Sequence, residues 1–370
     1  MAAERAAVDE APPRERSRTV DAVRGLAVVG FLAVNNAGAA AEAYPQLGHA
    51  AWHGFTAADL VFPLFLVVMG AGIALGGKER LTVVRIVRRA VILFALGLVI
   101  NLVPVFDFGQ VRILGVLQRI AIVYLLAGLA VRFLPVWAQA ALVAALLAVH
   151  TWLLTWGGAP SLPGIKVRTG GLADTAAWID VRILGERHGY FGTFPDPEGL
   201  LGMLAATVSV LLGVWAGLAL RSRWRWTSLG GTTAAGCGLL LGAAELAKVV
   251  PINKQLWTAS FTLLSAGISC LILVAAELLA RAPVGRQLLW PPMVLGRNAL
   301  LVYAGAEAAR HWLREIRPEP EVTALARLQD WFTHAFGGEP AGSLALMAAL
   351  VALSWLTAAA LHARHWYLRL

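Results

Sequence analysis

Two histidines four residues apart, His49 and His53, stand in GHAAWHGFTAADLVFP, residues 48–63. Imidazole exchanges protons near neutral pH, so a histidine beside Trp52, in a segment without Lys or Arg, suits acid–base work. A metal pair is the other reading of that spacing. Zinc needs three or four placed ligands; no carboxylate lies between the histidines and no third ligand follows from the spacing, so no metal is expected. For His53 a hydrogen-bonded interface residue is the simpler reading. Asp59 completes Thr56-Ala57-Ala58-Asp59, a capping box that opens a helix. Its carboxylate can satisfy backbone donors there or hold His49 in one tautomer, and the spacing leaves both roles open.

Other polar residues fall where a bilayer makes them costly, which points them toward a bundle interior. Asp21 and Arg24, three apart, read as a structural ion pair. Asn35 and Asn36 follow in VGFLAVNN; an amide there can orient a catalytic group or a sugar hydroxyl, or cap the helix before Gly38. In VRILGVLQRI, residues 111–120, Arg112 stands at an outer end, with Gln118 and Arg119 about a third of the way into a span. A guanidinium that deep needs a partner or a wet cavity. It suits phosphate or carboxylate, or an internal pair with a carboxylate such as Glu307. FPDPEGLLG, residues 194–202, reads as a helix start with Asp196 as N-cap and Pro197 in the first helical position, leaving Glu198 to face an outer vestibule. Asn253, Lys254 and Trp257 open another span, as a sugar-recognition edge or an interfacial belt. Asn298, Tyr303 and Glu307 inside a later span argue for an interior cavity.

These residues need a scaffold, and the composition names it. Of 370 residues 58% are hydrophobic and 14% charged, with mean hydropathy +0.68. That excludes a soluble globular enzyme, a disordered chain and a disulfide scaffold. The expected fold is an all-α integral membrane protein: about ten helices bundled around a polar cavity. The spans run near 23–42, 58–77, 86–106, 113–133, 135–156, 199–220, 228–249, 256–280, 288–310 and 343–362. Residues 1–20 read as a disordered cytoplasmic tail, and 21–370 as a single transmembrane domain with outer loops 157–198 and 311–342. With the N-terminus inside, 18 of the 31 Lys and Arg fall on the cytoplasmic side and 11 outside. Both termini are therefore expected in the cytoplasm, and the protein in the inner membrane.

The series DAVRG, VNN, HAAWHGFTAADLVFP, RILGVLQRI, DPEGLLG, INKQLWTAS and GRNALLVY, in this order, resembles the heparan-α-glucosaminide N-acetyltransferase family of transmembrane acyltransferases and its bacterial members. The likeness runs from about residue 18 to 310. It implies that an acetyl group from cytoplasmic acetyl-CoA reaches an amino sugar of the glucosamine type at the far face. It places the family's active-site histidine on His49, its partner asparagine on Asn35 and its ADLVFP aspartate on Asp59. The chemistry agrees: an amine attacking a thioester must lose a proton, and the developing oxyanion needs a donor. His49 can be the base or can carry the acetyl group. Arg112, Gln118 and Arg119 become the expected acetyl-CoA contacts, and Glu198, Asn253, Lys254, Trp257 and Asn298 the acceptor contacts. Expected partners are membrane lipid and the amino sugar, with a homodimer left open and no nucleic acid. The rival is a sugar permease without acyl transfer.

The orientation is directly testable. In a background without Cys237 and Cys270, a cysteine at Gly48 is expected to react with an impermeant thiol reagent from outside, and one at Gly77 is not. Reversed labelling would overturn the orientation.

Overall fold

The structure is a computed structural model. It describes residues 17–368 except 157, 168–170, 222–224 and 320. Residues 1–16, most of the expected N-terminal tail, lie outside the described residues. Helix α1 (Arg18–Asn35) begins inside that expected tail, where Ser17 accepts a hydrogen bond from the Val20 amide. The remaining principal helices are α2 (Ala57–Gly76), α3 (Val83–Leu102), α4 (Val116–Phe133), α5 (Val136–Thr155), α6 (Leu172–Leu184) and α7 (Gly202–Arg221). Then come α8 (Arg225–Leu246), α9 (Ala259–Leu279), α10 (Trp290–Arg297), α11 (Ala299–Glu315), α12 (Ala324–Phe336) and α13 (Glu339–Ala363). Among the described residues the only sheet is a parallel pairing of Lys166–Val167 with Thr193–Phe194. The chain is an all-α membrane protein.

Among the described residues seven helices are long and apolar enough to cross a bilayer: α2, α4, α5, α7, α8, α9 and α13. The three other expected spans also fall on helix, and their departures have physical reasons. Helices α1 and α3 have the length but each carries three charged residues, among them Asp21 and Arg24 in α1 and Arg88 and Arg89 in α3. The expected span 288–310 is not one helix. It breaks at Asn298, whose backbone leaves the helical region (φ −118°, ψ 26°). The Asn298 side chain is committed to the C-terminal segment: Nδ2 donates to the Trp366 carbonyl at 3.1 Å and Oδ1 accepts from the Leu368 amide at 3.4 Å. Nor are the two outer loops bare connectors, since 157–198 carries α6 and 311–342 carries α12.

In the interior, α2 packs directly on α7. A Cβ added at Gly70 would lie 2.0 Å from the Val210 carbonyl oxygen, and one at Gly213 only 2.1 Å from that of Val67. The α1–α10 crossing is as close: at Gly25 and Gly296 a Cβ would meet facing backbone at 1.6 and 1.7 Å. Backbones this close let helices associate through packing where lipid supplies no hydrophobic drive. Leu66, Leu93, Val123 and Phe261 fill the core beside these contacts. Little of α5, α8 or α13 is fully buried.

Gly213→Ala is expected to destabilise the protein. The added carbon collides with backbone, and overpacking of this kind costs about 1–3 kcal/mol, more than the roughly 1 kcal/mol an alanine gains in helix propensity. Gly230→Ala in α8, where a Cβ would meet nothing within 4 Å, is the matched control. Thermal unfolding in detergent should fall for the first and hold or rise for the second.

Candidate active site

A cavity of about 1370 Å³ opens among the ends of α1, α2, α3, α4 and α11 and the loops 103–115 and 186–198. Every lining residue on α1 to α4 lies within the last or first two turns of its helix, all at one end of the bundle. His49, Asn35, Asp59, Arg112, Gln118, Glu198 and Lys254 line it. Four residues expected at the site do not.

His49 sits on the segment leading into α2. That segment is pinned where the Thr56 hydroxyl donates to the Gly48 carbonyl (2.8 Å) and the Ala57 amide donates to Gln46 Oε1 (2.8 Å). The His49 ring is 43% exposed and its Nδ1 lies 2.9 Å from Oδ1 of Asp59, which is buried. The other Asp59 oxygen accepts from the backbone amides of Thr56 (3.0 Å) and Ala50 (3.2 Å). Asp59 therefore fills both roles that the sequence left open. A carboxylate acceptor assigns the proton to Nδ1 and the lone pair to Nε2. Lys254 Nζ lies 3.0 Å from Nε2 and 3.2 Å from Nδ1.

Asn35 is the last residue of α1. Its Nδ2 donates to Glu307 Oε1 at 2.6 Å, and Arg310 holds the second Glu307 oxygen. Asn36 instead donates to the Leu32 carbonyl at 2.8 Å and finishes the helix. Bonding to a carboxylate settles which end of the Asn35 amide carries nitrogen.

Arg112 is not a free cation. Its Nε donates to Asp196 Oδ2 at 2.9 Å, its Nη2 bonds both Asp196 and Glu198, and its Cζ lies 4.5 Å from the Tyr190 ring centroid. Burial alone would lower its pKa, but Glu198 and Asp196 outweigh burial and hold it above the ordinary value. Burial likewise pushes Glu198 up, and Arg112, Arg119 and Lys254 bring it below the ordinary carboxylate range. The Lys254 ammonium is pulled below its ordinary pKa by burial, with Glu198 and Asp59 offsetting part of that. Asp196 binds Arg112 and its Oδ1 also accepts from the Glu198 amide at 2.8 Å, so it caps that turn and not the start of α7. Residues 196–201 form turns, and α7 starts at Gly202. Buried Asp180 fixes those turns, its two oxygens accepting from the Asp196 and Leu200 amides at 3.0 and 2.8 Å.

Arg119 misses the cavity. It is fully buried, 4.7 Å from the Trp257 ring centroid and 6.0 Å from that of Phe62, and donates to the Gly199 carbonyl at 3.3 Å. Gly202 makes room for it, since a Cβ there would lie 2.8 Å from Arg119 Nη2. Trp257 is enclosed with it, at a left-handed φ of 55°. Asn253 is buried and shapes the turn below, accepting from the Leu256 amide at 2.9 Å and standing 3.4 Å from His53 Nδ1. The two histidines thus meet different partners. Asn298 lies near Arg297, which approaches Asp21 at the start of α1. Asn35 ends α1 fourteen residues later, roughly 20 Å away along the helix.

Gln118 reaches the cavity through two glycines. A Cβ at Gly97 or Gly115 would stand 2.5 or 2.9 Å from its Oε1, and its Nε2 is buried without a hydrogen-bond partner. The residues that sequence reasoning missed come from α11. Arg310 and Arg314 read as outer-loop charges, yet α11 continues to Glu315 and carries both into the wall. The spacing Tyr303, Glu307, Arg310, His311, Arg314 is one helical face, and that periodicity was the available signal.

The family model described as "Heparan-alpha-glucosaminide N-acetyltransferase, catalytic" matches residues 16–170. Across that stretch the chain is similar to this family's catalytic region. The matched segment holds His49, Asn35 and Asp59, together with Arg112, Gln118 and Arg119. The human heparan-alpha-glucosaminide N-acetyltransferase is 32% identical over 368 residues, covering 81% of this chain and 54% of that protein. The mouse protein of the same name is 30% identical over 363 residues, covering 80% and 54%. The chain spans about half the length of these curated relatives.

Asp180 makes the site's stability depend on pH. Burial pushes its carboxyl up to about 7, above the roughly 3.9 of an unfolded chain. Between those values the folded protein holds a proton that the unfolded chain has released, so this contribution is complete below about pH 4 and is lost as pH rises to 7. Wild-type thermal stability in detergent, measured relative to Asp180→Asn, should therefore fall across that window.

Proposed function

We propose that the protein is a transmembrane N-acetyltransferase moving acetyl from cytoplasmic acetyl-CoA to the amine of a glucosamine-type sugar at the outer face of the inner membrane. The observation that carries this reading is the His49–Asp59 pair on the cavity wall. Asp59 holds Nδ1–H, so Nε2 presents a lone pair toward the cavity. Nε2 attacks the thioester carbonyl, the carbon–sulfur bond breaks and CoA leaves as thiolate, while Asp59 compensates the imidazolium charge. The sugar ammonium gives a proton to the thiolate, the neutral amine attacks the acetyl carbon, and Nε2 leaves and takes the second amine proton. Asn35, its amide aimed by Glu307, has a second N–H for the carbonyl oxygen as negative charge develops. Glu198 offers a carboxylate to the incoming sugar ammonium.

Two features bear on the donor. Gln118 Nε2 is a buried donor without a partner and suits an amide carbonyl of the pantetheine arm. Of the wall's arginines, Arg112 pairs with Asp196 and Glu198 and Arg310 with Glu307, which leaves Arg187 and Arg314 as the contacts for phosphate. Since the lining stops at one end of α1 to α4, a cytoplasmic donor requires the packed layer around Leu66 and Leu93 to open.

Purified protein with radiolabelled acetyl-CoA and glucosamine tests the proposal. His49→Ala should lower transfer by about 10²–10⁴-fold. His53→Ala, which removes contacts with Asn253 and the Trp52 ring, should cost about tenfold or less. Mixing wild type with acetyl-CoA alone should release a burst of free CoA stoichiometric with the acetyl groups the protein retains, without continued turnover. Near-normal turnover in His49→Ala would overturn the site. Uptake of unmodified sugar into proteoliposomes without acetyl-CoA would favour a permease.

A further inference from the structure

The amine nearest to His49 belongs to the protein. Lys254 Nζ lies 3.0 Å from His49 Nε2, the atom that carries the acetyl group in the reading above, on which this inference rests. A lysine side chain and an amino sugar are both primary amines, so Lys254 stands where the acceptor's nitrogen must arrive. We propose that Lys254 is a self-acetylation site: without an acceptor the acetyl group passes from His49 to Lys254 Nζ, closing the amine position.

The surroundings of Lys254 fit the role. Asp59 on α2, Glu198 on its loop, Arg119 on α4 and the His49 ring all face it. Asp59 and Glu198 favour the ammonium, while burial and Arg119 favour the neutral amine. That environment would receive an acceptor's ammonium and release its proton. The four lysines of the chain are Lys78, Lys166, Lys248 and Lys254. The other three are exposed and outside the cavity.

The step balances. His49 Nε2 adds to the thioester carbonyl, the carbon–sulfur bond breaks and CoA leaves as thiolate. The Lys254 ammonium gives the thiolate its proton and becomes a neutral amine. Nζ adds to the acetyl carbon, the bond from that carbon to Nε2 breaks, and the second Nζ proton passes to Nε2. The products are Nε-acetyllysine, free CoA and a protonated His49. The new amide lacks the charge that offset Asp59 and Glu198 and fills the space of the acceptor nitrogen, so the modified chain should no longer transfer acetyl.

The test uses the full chain in detergent with acetyl-CoA, with and without saturating glucosamine, followed by peptide mass spectrometry. Without acceptor, the peptide carrying Lys254 should gain an acetyl group, and transfer activity should fall in step with it. With glucosamine present that mark should be lost. It should also be lost in His49→Ala, confirmed as folded by a monodisperse elution profile. The exposed Lys248 reports uncatalysed acetylation. A preparation that transfers acetyl to glucosamine but leaves Lys254 unmodified when incubated with acetyl-CoA alone would overturn the inference and leave the acetyltransferase standing. So would a Lys254 mark equal to that on Lys248, or equal in His49→Ala. A preparation that transfers acetyl to no amine and releases no CoA would overturn the acetyltransferase reading and the inference together.

Discussion

The buried carboxylate of Asp59 cannot stand alone. Removing a carboxylate from water costs several kcal/mol unless hydrogen bonds and opposite charge replace hydration. Its replacement partners are the Thr56 and Ala50 amides on one oxygen and His49 on the other. Satisfying Asp59 therefore fixes three things together: where α2 begins, how the preceding segment folds over it, and which nitrogen of His49 is free. The segment cannot shift without leaving the carboxylate short of a donor.

The opposite wall obeys the same rule with more charges. Arg112, Asp196, Glu198, Arg119, Lys254 and Asp180 share one region. Each cation there compensates carboxylates that the turns at 196–201 bring inward. Arg112 meets Asp196 through two nitrogens, a geometry that lysine could not reproduce. Arg119 is satisfied differently, through aromatic faces and one carbonyl, with Nε and Nη1 left unbonded. A guanidinium in that state lends its charge to the wall without offering it to a ligand.

Close helix crossings make this arrangement rigid. The Gly70–Val210 and Gly213–Val67 contacts and the Gly25–Gly296 crossing set backbones against each other, so α1, α2, α7 and α10 hold their relative depth. The wall formed by α11 depends on the break at Asn298. A continuous helix through that residue would carry Tyr303, Glu307 and Arg310 along the axis of α10, and Glu307 would lose its place opposite Asn35.

Much of the class of this protein followed from local chemistry. Hydrophobic runs near 20 residues mark most spans because a bilayer leaves the backbone no alternative to helix. The capping box at Thr56 and Asp59 was readable because caps act over three residues. His49, Asn35 and Asp59 were singled out by the family resemblance, which short motifs in a fixed order carry. What spacing could not decide is which polar groups share a partner. Asp59 serves both cap and histidine only because the chain folds back over the start of α2. Arg119 and Trp257, 138 residues apart in sequence, are buried together although each looked poised for a ligand. Arg310 and Arg314 read as loop charges until α11 proved to run past them, and Asn298 read as a cavity residue until the C-terminal segment claimed it. Local sequence determines helices, caps and motifs through neighbours a few residues away; the pairing of buried charges depends on contacts across the bundle, which exist only once the helices have packed.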